Sequence, residues 1–263
     1  TTKSFYLDVF GAMLTKTQNL SEDKFGQLES VILDGLESRQ IMIFPIGGTD
    51  LPNIVATGWN GDLKPASCLG SVVCVTDTVY AVSSNVGINK ANSSVDQKML
   101  VDISLSASTV ETSLSIVFKN KAQGNTWPLG NYKNYLRFYI PKDSKIKRVV
   151  VNDKALGPEN IRTTLTEEFM EVGILVNIPA GQQTPVGINF SRDLPEAGRF
   201  GYSLSLPNQP GLESGTPGVT VRYPPIWLAQ TAKPAAVAAA GLLRYNGDIS
   251  KPFKVSVDFL KHD

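Results

Sequence analysis

One histidine, two cysteines and no long apolar run in 263 residues remove most of the chemistry usually sought first. The histidine, His262, stands beside the terminal Asp263, where a solvated tail is the default for a chain end. A Ser-His-Asp or Cys-His arrangement needs that one imidazole held by a rigid orienting group, so no triad is assigned. A zinc site draws its ligands from clustered Cys and His, and one Cys pair with a distant His falls short. The longest weakly polar stretch, 235–243, is far below the roughly 18 residues of a membrane-spanning helix. No phosphate loop is present either, because GINKANSS at 87–94 lacks the GxxxxGK[ST] spacing. The sequence therefore assigns no catalytic residue, no cofactor site and no metal site, and no cofactor is expected.

Charge of one sign is also scarce. Residues 1–95 hold 6 basic and 9 acidic side chains, the remainder 19 and 15, and the net charge is +1. Neither part has the basic excess of a nucleic-acid footprint, so no nucleic-acid partner is expected. The fragment itself is not expected to contact a membrane. It begins at Thr1 without a signal-peptide pattern, so any targeting or anchoring segment is expected upstream. An N-terminal Thr nucleophile is disfavoured because the next residues are helical in pattern.

What the chain does have is alternation. Met170, Val172, Ile174, Val176 and Ile178 fall on one face, against Phe169, Glu171, Gly173, Leu175 and Asn177 on the other, the period of two that a half-buried strand requires. Similar runs recur at 98–107, 110–119, 133–141, 146–152, 161–166, 184–192, 199–206, 217–223, 240–246 and 252–260. Between them lie turn residues such as Asn152-Asp153 and Pro179-Ala180-Gly181. Strands at this spacing without intervening helices predict a mainly β protein built as an antiparallel β-sandwich, either one large sandwich or two consecutive ones. The stretch 207–218, with three Pro and three Gly, is a loop, and the Ala/Pro tract 233–240 is an edge segment.

The front of the chain reads differently. Phe5, Val9, Ala12 and Met13 are helically spaced, and a second helix from an N-cap at Ser21 runs to about Ser38 with the stripe Leu28, Ile32 and Leu36. QIMIFP at 40–45 and 77–87 are short strand candidates, with a turn at Gly47-Gly48. We therefore expect a helical plus short-strand segment at 1–95, the tail of a larger α/β domain. A β-sandwich at 96–198 follows, and further strands at 199–263 complete it or form a second, smaller one.

Cys68 and Cys74 in CLGSVVC suit a disulfide across a tight loop, with free thiols the alternative. A bridge would favour an oxidising, extracytoplasmic compartment.

The phrases RQIMIFP, TGWNGDL, DTVYAVSSNVGINKANSSVDQK, YKNYLRFYIPKDSKI, GYSLSLPNQPG, VTVRYPPIW and LLRYNGDI, in this order, resemble the C-terminal part of the bacterial domain-of-unknown-function 4012 family. The resemblance implies a membrane-anchored, outward-facing bacterial protein whose anchor and mixed α/β region precede this part. It brings no activity and no site residues.

Three sets of residues invite a functional reading. Glu167, Glu168 and Glu171 cluster at the start of the most apolar strand, yet neighbours on a strand point to opposite faces, so Glu167 and Glu168 would not line one site without a bulge. Asp62 and Asp248 sit in Asn-Gly turns, where Asn and Asp serve the backbone. Of the aromatics, Trp59, Trp127, Trp227, Tyr132, Tyr135 and Tyr139, the candidates to face a ligand are Trp127, Tyr132 and Tyr135, as a glycan- or protein-binding surface. The functional expectation is a non-enzymatic, extracytoplasmic cell-surface module with an interaction or structural role. The alternative is an enzyme or binding protein acting on cell-envelope glycan. A concave pocket with two convergent ionisable groups would favour the enzyme.

Overall fold

The computed structural model describes residues 2–44, 51–68, 73–211, 217–248 and 250–262. The chain divides into two compact units, residues 1–62 and 63–263. In the first, helices α1 (Thr2–Thr17), α2 (Glu22–Glu37) and α3 (Leu51–Thr57) follow one another. The first two match the predicted helices, and α2 carries Glu22 and Asp23 in its opening turn, where the helix dipole favours anions. Of its apolar stripe, Leu36 is buried and Ile32 exposed.

The predicted strand at 40–45 is absent from residues 40–44. There the backbone makes loop bonds, Ile43 N–H to the Trp59 carbonyl among them, so its apolar run is not drawn into a sheet. Pro45 and the Gly47-Gly48 turn lie outside the described residues. The short helix α3 was not anticipated, since seven residues give too little periodicity to read.

The second unit is the sandwich. Its strands are β1 (Cys74–Thr78), β2 (Tyr80–Asn85), β3 (Val95–Leu105), β4 (Thr109–Asn120), β5 (Tyr132–Pro141), β6 (Lys145–Val151), β7 (Lys154–Ala155) and β8 (Ile161–Leu165). They continue with β9 (Phe169–Ile178), β10 (Gln183–Asp193), β11 (Arg199–Leu206), β12 (Gly218–Arg222), β13 (Trp227–Lys233), β14 (Val237–Ala239), β15 (Leu242–Asn246) and β16 (Phe253–Lys261). They form an eight-stranded sheet, β14-β15-β12-β3-β4-β10-β6-β7, and two four-stranded sheets, β1-β11-β16-β13 and β2-β5-β9-β8. The pairing is antiparallel except for β1 with β11 and β3 with β12.

The predicted alternation holds where the sheets meet. Val172, Ile174, Val176 and Ile178 of β9 are buried, whereas Leu175 faces solvent. Val255, Val257 and Phe259 of β16 are likewise inside. Inward side chains of all three sheets join in one core, so residues 199–263 complete this sandwich and build no second one. The hairpin turn between β6 and β7 is Asn152-Asp153, both at positive φ (49° and 62°), the mirror-image turn whose twist matches the strands.

The boundary expected near residue 95 is corrected to 62/63. Strand β1 pairs with β11 and β2 with β5, so 74–85 belong to the sandwich. Their burial does not alternate cleanly (all six residues of β2 are half-buried), and their partners lie some fifty or more residues further on. Only the long-range pairing reveals their allegiance.

Candidate functional site

Across the core runs a buried charged cluster that sequence reading missed. Asp77 of β1, wholly buried, accepts hydrogen bonds from Arg192 Nη1 of β10 at 2.7 Å, Tyr202 Oη of β11 at 2.8 Å and Thr112 Oγ1 of β4 at 3.2 Å. Arg192 also donates to the Thr76 carbonyl and forks onto both carboxylate oxygens of Asp143, at 2.9 and 3.0 Å. Burial pushes the Tyr202 phenol well up, and the Asp77 carboxylate adds to it. The residues come from a four-stranded and the eight-stranded sheet, and the cluster ties these two together. No local pattern signals it.

The cysteines form the expected disulfide, Cys68 to Cys74, with Cα atoms 5.9 Å apart, inside the 4.4 to 6.8 Å range such bridges require.

A polar cleft of about 400 Å³ opens where β2, the start of β3 and the loop after β11 converge. Its walls carry Ser83 and Asn85 of β2, Asn92 and Ser93 of a single 3₁₀ turn, Asp96 and Gln97 of β3, Gln209 and Lys121. The amides hold one another in place. Asn85 Nδ2 donates to the Asn89 carbonyl at 2.8 Å and to Asn92 Oδ1 at 3.2 Å, and its Oδ1 accepts Gly87 N–H at 2.9 Å. Gln209 pairs with the Ser83 backbone as a strand would, accepting its N–H at 2.7 Å and donating to its carbonyl at 2.8 Å. Lys121 and Asp96 form an exposed ion pair at 2.8 Å.

The three aromatics proposed to face a ligand are not brought together. Trp127 is 80% exposed, as its polar surroundings suggest, in the loop before β5. Tyr132 is corrected: it is only 2% exposed and points into the core with Leu136, since both lie at even positions of β5. One edge of it borders the polar cleft, and burial raises its phenol pKa, partly offset by the Ser83 hydroxyl. Tyr135 is half-buried on the opposite, outward face of β5. Trp227 is core, its ring 4.8 Å from Phe200 and its Nε1 donating to the Ser106 carbonyl.

Glu167 and Glu168 also require correction. They fall in the turn between β8 and β9, where strand alternation does not apply, and both line an open cleft of about 370 Å³ with Asp143 and Arg192. Two ionisable groups thus meet at one concave surface, but they are exposed, and Asp143 is committed to Arg192. Asp248 accepts Ser250 N–H at 2.9 Å, which lowers its pKa, the turn role expected of it. Among the described residues no cluster of three or more His, Cys, Asp or Glu has a metal-binding arrangement.

No protein-family model matches the chain, and no curated protein matches it. Among solved structures it is similar to a proposed nutrient-binding protein of Legionella pneumophila, at 10% identity and a TM-score of 0.43, over 70% of this chain and 71% of that one. An M1 zinc metallopeptidase from Deinococcus radiodurans gives 12% identity and 0.34, over 64% of this chain and 42% of that one. Leukotriene A4 hydrolase from Saccharomyces cerevisiae gives 8% and 0.39, over 64% and 29%. The chain spans less than half the length of these last two proteins, and likenesses at this level carry no argument about activity.

Proposed function

We propose that this chain is a non-enzymatic binding module of an extracytoplasmic, cell-surface bacterial protein, and that the polar cleft takes an uncharged, hydroxyl-rich ligand such as cell-envelope glycan. The carrying observation is the lining of that cleft. Neutral amides and hydroxyls, held by their own hydrogen bonds, offer donors and acceptors in fixed positions, which suits recognition of a polyol. Its ionisable pair, Lys121 with Asp96, is exposed and self-neutralising. The Cys68–Cys74 bridge supports an oxidising compartment. The resemblance in ordered sequence phrases to the domain-of-unknown-function 4012 family supports a membrane-anchored, outward-facing parent protein. Among the described residues no helix is long and apolar enough to cross a membrane.

Titration calorimetry with N-acetylglucosamine oligosaccharides tests this reading. Binding should weaken in Asn92→Ala and Gln97→Ala and stay unchanged in Glu168→Gln. Absence of binding at millimolar sugar would overturn it. The enzyme reading is favoured by the convergence of Glu167 and Glu168 at the open cleft. New reducing ends released from the same oligosaccharides, and lost in Glu167→Gln or Glu168→Gln, would establish that reading instead.

A further inference from the structure

The outward face of the sheet β2-β5-β9-β8 carries three ordered cross-strand rows. Register places Ser84, Tyr135 and Leu175 in one; Val82, Arg137, Gly173 and Arg162 in the next; and Tyr80, Tyr139, Glu171 and Thr164 in the third. Three features of these rows point to a ligand.

The first is a platform. A Cβ placed on Gly173 would lie 2.3 Å from Tyr135 Oη and 2.8 Å from Cζ. The hydroxyl end of the phenol therefore reaches across onto β9 and fills the space this glycine leaves, while Tyr135 stays half-buried on the outward face. Leu175, 67% exposed, extends the apolar area beside it. Gly173 has no positive φ, so the backbone itself does not call for glycine.

The second is an uncompensated cation. Arg192 and Arg222 of this protein are paired with carboxylates at 2.7 to 2.9 Å. Arg137 has only long hydrogen bonds to hydroxyls, 3.4 Å to Tyr139 Oη and 3.3 Å to Ser84 Oγ, and its Nε has no partner. Among the described residues no carboxylate lies within the 4 Å of an ion pair from Arg137 or Arg162. The face carries Lys133, Arg137 and Arg162 against the single acid Glu171, which is engaged with Tyr139.

The third is the position of the strand. Strand β5 is paired on both sides, by β2 and β9, so a ligand above Arg137 meets side chains only and finds no free backbone edge for strand addition, a common mode of extended-peptide capture. Ring-on-ring stacking and charge pairing are what remain.

We propose that this face binds an acidic polysaccharide, a sugar ring lying on Tyr135 while a ring carboxylate meets Arg137, about 7 Å along the strand, and Arg162. The site is separate from the polar cleft.

Binding of oligogalacturonate to the full chain, compared with neutral galactan and with polyglutamate, tests the proposal. Oligogalacturonate should bind more tightly than either, with affinity falling as salt rises. Arg137→Gln should weaken it by about tenfold, the loss of one charge-assisted contact. Gly173→Ala, which lifts the Tyr135 ring while leaving every charge in place, should weaken it as well, with unfolding by urea confirming an intact fold. Asn92→Ala in the polar cleft should leave it unchanged, so failure of the cleft reading is distinguishable from failure of this one. Equal binding of galactan would overturn the charge role, equal binding of polyglutamate would overturn the glycan assignment, and indifference to both Arg137→Gln and Gly173→Ala would overturn the site.

Discussion

Replacing Arg192 by Met strands a charge, and the effect should be among the largest of any single substitution in this protein. Asp77 has no exposure and Arg192 about 15%, so the pair sits where water cannot replace a lost partner. Removing one member of a buried ion pair costs about 3–5 kcal/mol, because the other charge stays buried and uncompensated. In Arg192→Met, Asp77 keeps only the Tyr202 and Thr112 hydroxyls. Asp77→Asn should cost less, about 1.5–3 kcal/mol for hydrogen bonds to a charged group, since Arg192 retains its fork onto Asp143 at the surface. In the double variant the Met substitution no longer strands a charge. The two losses should therefore fall short of adding, with a coupling of about 1 kcal/mol or more. Urea unfolding with the disulfide intact, followed by tryptophan fluorescence, measures all four corners of the cycle. An Arg192→Met loss below about 1 kcal/mol, or one smaller than that of Asp77→Asn, would refute the argument that buried charge dominates here.

Three further outcomes are expected. The Cys68→Ser, Cys74→Ser double variant closes no loop, and because that loop is short it should lose at most about 2 kcal/mol in urea and keep its β circular dichroism. Tyr139 and Tyr245 are pushed up to about 12 from 10.0, mainly by burial, and Tyr132 and Tyr202 are raised too. The fold then holds protons that the unfolded chain releases, so stability is full below pH 10 and falls as pH rises from about 10 to 12; ultraviolet titration should show a late class of phenols, and loss of all eight near pH 10 in the folded protein would contradict it. Removing residues 1–62 should leave a cooperatively unfolding sandwich, whereas removing 1–90 deletes β1 and β2, strips Asp77 from its cluster and should abolish cooperative unfolding; equal behaviour of the two truncations would restore the boundary near 95.

The sandwich was legible in the sequence because strand alternation is local. Ile174 and Leu136 face each other in the register of β9 and β5, and both are apolar because both point inward. Each states its own face without knowledge of the other. Turn chemistry is local too, and Asn152-Asp153 and Gly181 took the positive φ that their residue types favour. The Cys68–Cys74 bridge spans six residues, short enough to be read from spacing.

The sites were not legible, because each is assembled from residues whose roles depend on distant partners. Tyr132 is a different case: it lies just outside the strand expected at 133–141, so the local parity that separates it from the outward-facing Tyr135 was not applied to it. Glu167 and Glu168 share a cleft only because β8 ends before them. By itself the sequence determined strand periodicity, turns, the two leading helices and the disulfide, all set by interactions within a few residues. Only the tertiary structure decided which strands pair, where the units divide, that Asp77 meets Arg192 across two sheets, and that Gly173 makes room for Tyr135, because those contacts join residues 38 to 115 positions apart.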